Sequence, residues 1–111
     1  MKFRDLLNEA SGMILVADKL KAKIKEPDYI VFTNNGVADL DKKGLTGYYV
    51  WVGYVHAGRN GRSDPKRMRA IENKLEDIAE ALADIAKGDV NDVVIEDFTR
   101  SFDMYRLYIV K

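Results

Sequence analysis

The chain has no cysteine, which excludes disulfides and thiolate metal sites and fits a reducing compartment, or a particle assembled in one. It has one histidine, His56, and three serines, Ser11, Ser63 and Ser101. None of the serines sits in a nucleophile-elbow setting, so Ser/His catalysis lacks its parts. His56 reads instead as a strand-end residue facing solvent. No apolar run approaches the ~20 residues that a bilayer span needs. Residues 1–5 mix charges into the N-terminus, so a secretory leader is not expected. Net charge is also missing: Lys plus Arg and Asp plus Glu both number 18, and the pI is near 6.6. A general nucleic-acid binder would carry a basic excess, so nucleic acid is not the expected partner. Only two prolines occur, Pro27 and Pro65, and each marks a helix boundary.

With 111 residues, 47% apolar content and 32% charge of mixed sign, residues 1–111 read as one ordered domain. Phe3, Leu6, Leu7, Ala10, Met13, Ile14, Ala17, Leu20 and Ile24 recur at three- and four-residue steps, which predicts a first helix ending before Pro27. A β-branched and aromatic run at 29–33 predicts a strand, and Asn34-Asn35-Gly36 a tight turn. The polar stretch 37–47 then forms the outer part of a long hairpin. The run 48–55 is apolar on both faces, which predicts a central strand covered on each side. Gly53 within it signals a bulge or a close backbone approach. Asp64-Pro65 opens a second helix whose seam is Met68, Ile71, Leu75, Ile78, Leu82 and Ile85, and Gly88 ends it. Residues 92–98 and 104–110 read as two further strands. The expected architecture is α+β: two helices packed on a mostly antiparallel four-stranded sheet with a long β-hairpin, in the order α-β-β-α-β-β.

The clearest signal is the distribution of charge. Arg59, Arg62, Lys66, Arg67 and Arg69 form a basic block that runs into the acidic Glu72, Glu76, Asp77, Glu80 and Asp84. Solvation alone would explain the acids. Cations crowding a helix start oppose its dipole, however, so a partner surface is a reading of equal weight for the two blocks together. No aromatics interleave with the basic block, so base stacking is not indicated. Alternation sends the strand aromatics to both faces, and two helices would cover only one, so Tyr49 and Trp51 are expected to be exposed for a partner; the rival reading is that the rings merely cover a small core. Gly58-Arg59-Asn60-Gly61 has the composition of a phosphate-cradling loop but no Walker lysine, so it reads as a strand-to-helix turn. Asp39 with Asp41, and Asp89 with Asp92, lack histidine or calcium-loop spacing. No metal, cofactor or catalytic residue is expected, and the chain does not read as an enzyme.

In layout the chain resembles the tail-terminator and tail-completion proteins of long-tailed bacteriophages. The features that carry the resemblance are the N-terminal helix, the long hairpin ending in the strand at 48–55, the charged loop, the helix through Arg69 and Leu82, and the closing strand at 105–110. The resemblance implies a non-enzymatic virion protein of the tail or neck, assembled in the host cytoplasm. It implies a ring, hexameric in that family, which caps the tail tube and meets tail-tube and head-completion proteins. Ring contacts would fall to the charged loop and helix, and tube contacts to the hairpin. Two other classes fit the residues. One is a small phage-encoded inhibitor or adaptor of the anti-CRISPR kind, acting on a host protein. The other is a nucleic-acid-binding module using the basic loop 59–69.

Overall fold

The computed structural model of the chain describes residues 13–34, 46–55, 64–101 and 103–110. Its elements are β1 (Met13–Leu15), α1 (Ala17–Lys23), β2 (Ile30–Thr33), β3 (Gly47–Tyr54), α2 (Pro65–Ala86), a 3-10 turn (Val90–Asp92), β4 (Val93–Asp97) and β5 (Tyr105–Val110). Two helices and a mixed five-stranded sheet give a small α+β fold among the described residues.

β3 is the axis of the sheet. β5 runs antiparallel along one of its edges, from Gly47↔Val110 to Val52↔Tyr105. Two strands share the opposite edge end to end. β1 lies parallel to residues 47–49, and β2 antiparallel to residues 51–54. β4 pairs antiparallel with β5 and forms the far border. The expected four strands are therefore corrected to five, with β1 adding a parallel pair to a sheet whose other pairings are antiparallel. The expected turn at Asn34-Asn35-Gly36 and the arm beyond it fall largely outside the described residues, although β2 and β3 do pair antiparallel.

The continuous first helix is also corrected. Residues 13–15 are a strand, and the helix covers only Ala17–Lys23; the portion expected at 3–12 lies outside the described residues. The physical reason is the vacant edge of β3. Met13, Ile14 and Leu15 gain ladder hydrogen bonds there, and such tertiary pairing overrides local helix propensity even for the good helix formers Met13 and Leu15. The apolar stripe survives from that point on: Ala17 and Leu20 are buried and Ile24 packs against the core.

The helix-facing core unites Val50, Val52 and Tyr54 of β3, Leu107 and Ile109 of β5, Ile71, Ile78 and Leu82 of α2, and Leu20 of α1. Each large aliphatic side chain buried in this way contributes roughly 1.5–3 kcal/mol. α2 begins as its sequence dictates: the Asp64 carboxylate accepts the amides of Lys66 and Arg67 at 3.0 and 3.4 Å, with Pro65 inside the first turn. Its end differs in one detail. Lys87, not Gly88, takes the left-handed conformation (φ 54°), and the Gly88 amide closes onto the Ala83 carbonyl at 2.9 Å.

Two glycines in β3 have distinct steric roles. Gly47 has φ +143°, and a Cβ there would lie 2.0 Å from the Ile109 carbonyl oxygen. Gly53 sits in unbroken register, so it marks a close approach rather than a bulge; its Cβ would meet the Met104 side chain at 3.2 Å and the Asp103 carbonyl at 3.3 Å. Gly47→Ala should therefore lower stability by well over about 1 kcal/mol, because both the backbone conformation and the neighbouring carbonyl forbid it. Gly53→Ala should cost clearly less, since Met104 is able to yield. Urea denaturation of the two variants checks that order.

Candidate functional site

Side-chain alternation divides β3 between two environments. Tyr48, Val50, Val52 and Tyr54 face the helices, whereas Tyr49 and Trp51 face the other way. The second face is not open. Tyr49 is 0% exposed and Trp51 8%, packed with Leu15, Phe98, Met104 and Tyr108. The expected exposure of these two rings is thus corrected: apolar neighbours pack against both, and a cation covers Trp51. Arg106 of β5, itself 6% exposed, lays its guanidinium over the rings of Trp51, Phe98 and Tyr108 at 5.1, 5.2 and 5.9 Å. Its Nε donates to the Glu96 carboxylate at 2.6 Å. The Tyr49 hydroxyl donates to the Asn34 backbone carbonyl. A buried guanidinium is tolerable only when paired and stacked, and both conditions hold here.

Sequence reasoning missed this assembly because an arginine inside a strand reads as a solvent-facing residue. A signal was nevertheless present. A turn centred on Ser101 places Glu96 opposite Arg106, and that is the register observed.

A second cluster ties down the start of α2. The Tyr54 hydroxyl donates to Asp103 at 2.9 Å and accepts the Asp64 amide at 2.6 Å. Arg67 stacks on the Tyr29 ring at 4.8 Å, pairs with Asp64 at 3.5 Å and donates to the Val55 carbonyl. One member of the expected basic surface is therefore spent inside the chain. Lys66 and Arg69 are exposed, while Arg59 and Arg62, like His56 and the Gly58–Gly61 loop, fall outside the described residues.

The acids fare differently. Glu72, Glu76, Asp77, Glu80 and Asp84 are all exposed. Glu72, Glu76, Glu80 and Asp84 follow one another at four-residue steps, so they form a single ridge along α2. Like charges at that spacing each cost a helix a few tenths of a kcal/mol, about what one favourable pair gains. Lys74 gives local relief by pairing with Asp77 at 3.6 Å. The first turn of α2 contains no acid and the last turn no base. Inside the caps Asp64 and Lys87, whose charges suit the helix dipole, the terminal turns carry the opposite sign, Lys66 and Arg67 at the start and Asp84 at the end.

Near β4, the Thr99 hydroxyl and amide donate to Asp97 at 2.6 and 2.8 Å and hold its carboxyl below the ordinary aspartate value. Burial raises the Tyr105 phenol above its ordinary range, and the negative charges of Asp97 and Glu72 push it further the same way. Among the described residues, no cluster of His, Asp and Glu is arranged to hold a metal ion, and no helix is long and apolar enough to cross a membrane.

No family model matches the chain, and neither a curated protein nor a solved structure does.

The Glu96–Arg106 pair makes an asymmetric prediction. Glu96→Ala leaves a guanidinium buried without its acceptor and should cost about 3 kcal/mol. Arg106→Met keeps much of the packing and leaves Glu96, with a side chain 32% exposed, free to hydrate, so it should cost less. Equilibrium unfolding of both variants gives the comparison; the reverse order contradicts the role assigned to Arg106.

Proposed function

We propose that this chain is a non-enzymatic structural protein that docks through charge on α2. The finer reading is a tail-terminator or tail-completion protein, forming a ring that caps a phage tail tube and meets head-completion proteins. One observation carries the proposal: the exposed face of α2 bears cations in its first turn, which the helix dipole disfavours, and beyond them an acid ridge whose four-residue spacing sets like charges side by side. Local helix stability did not select that pattern, but a neighbour carrying the opposite pattern would. At about 1.5 Å per residue, Arg69 and Glu80 stand roughly 16 Å apart along the axis. Lys66 and Arg69 of one copy then meet Glu76 and Glu80 of the next. Rim charges of this kind set register and partner choice more than affinity.

The same ridge supports a second reading, a small inhibitor or adaptor that offers the acids to a basic surface on a host protein. The nucleic-acid reading is weaker, since Arg67 is committed to Tyr29, Asp64 and Val55.

Light scattering at low and high salt separates the first two readings. The wild-type chain should assemble at low salt and dissociate as salt screens the contact. Lys66→Glu with Arg69→Glu should abolish assembly, as should Glu76→Lys with Glu80→Lys, and mixing the two double variants should restore it. The first reversal adds acids near a helix start, which the dipole favours, so lost assembly there is not lost folding. A wild-type chain that stays monomeric at every salt concentration contradicts self-docking and leaves the adaptor reading.

A further inference from the structure

We infer that the outer edge of β4 receives an extended, basic segment of another protein by strand addition. The inference concerns a surface separate from the α2 ridge and does not depend on self-docking. Phe98 donates its amide to the Met104 carbonyl at 3.1 Å, and these two residues continue the β4–β5 register. Hydrogen-bonded pairs alternate in an antiparallel ladder, so Val94 and Glu96 bond to β5 as well. The carbonyls of Val93, Ile95 and Asp97 and the amides of Ile95 and Asp97 therefore point outward, and among the described residues no strand pairs with them, while the Val93 amide closes the 3-10 turn onto the Val90 carbonyl.

The edge is apolar and open on both of its faces, with Val94 40% and Ile95 43% exposed. Strand edges are guarded against pairing by charged side chains, proline, bulges or shortness. β4 has no lysine, proline or bulge, and its charges, Glu96 and Asp97, are both acids, which repel an acidic strand and not a basic one.

Charge identifies the occupant. Asp92 and Asp97 flank the apolar stretch, and an open groove of about 500 Å³ lined by Glu80, Asp84, Asp89 and Val90 lies at the end of α2 and the start of the 3-10 turn that precedes β4. Lys87 and Arg100 are nearby, but the acids outnumber them. A second copy pairing through β4 is disfavoured. Centred on Val94 it sets Asp92 opposite Glu96, and centred on Ile95 it places an apolar residue against each acid. The other border strands, β1 and β2, contain no cation to offer. A segment alternating Val with Lys satisfies the free backbone groups, covers Val94 and Ile95, and meets the acids.

The test is an amide NMR titration of the full chain with the synthetic peptide Lys-Val-Thr-Val-Lys-Val-Lys. Saturable shifts and slowed exchange should centre on the amides of Ile95 and Asp97. The same peptide with Glu in place of each Lys should give none. Ile95→Pro removes an outward amide without touching the β4–β5 bonds and should weaken binding at least tenfold. Ile95→Lys, which requires no backbone change, should do the same. Shifts centred elsewhere, equal binding of the acidic peptide, no binding at millimolar peptide, or dimers that Ile95→Lys dissociates would each overturn the inference.

Discussion

The guanidinium of Arg106 decides what this protein presents to its surroundings. Two helices are enough to cover one face of the sheet, and the opposite face of β3 carries Tyr49 and Trp51. Left uncovered, those rings would add a large aromatic patch to the surface. Arg106 stacks across Trp51, Phe98 and Tyr108 and is neutralised by Glu96, so the second face is closed from within the chain. A planar cation suits this place better than a lysine, because it stacks on rings and donates in the sheet plane at once. The fold gains a second small core, and the aromatic residues leave the inventory of docking groups.

Among the described residues, the exposed features that could dock a partner are the charge on α2 and the edge of β4. The acid ridge of α2 and the open border at β4 adjoin each other through Gly88, Asp89 and the 3-10 turn, so one side of the molecule combines negative charge with unpaired backbone. The cations are dispersed by comparison. Lys66 and Arg69 stand at the far end of α2, and Arg67 fastens that end to Tyr29 and Val55. The rigid hub of Tyr54, Asp64 and Asp103 fixes the helix start against the sheet, which keeps the ridge in a constant position relative to β4. Preorganisation of this sort lowers the entropic cost of any docking event.

Much of the fold was legible because single stretches of sequence determine it. β3 is apolar on both faces and proved to be central. α2 announced itself through Asp64-Pro65 and a regular seam. The parts that escaped depend on partners distant in sequence. Residues 13–15 have a helical pattern of their own and become a strand only because β3 offers them an edge. Arg106 resembles a surface residue until Glu96 is placed opposite it, and Arg67 resembles part of a basic patch until Tyr29 lies beneath it. In the candidate site, the exposed acids were readable from spacing alone. The closure of the aromatic face was not, since it is a contact across three strands.

Trp51 is the only tryptophan, so its fluorescence reports directly on the central claim that one chain seals its own aromatic face. Acrylamide quenching across a range of protein concentrations and salt should find a shielded indole with short-wavelength emission, the same whether the chain is dilute or associated. An indole that is freely quenched in dilute solution, and protected only as concentration rises, would contradict the account.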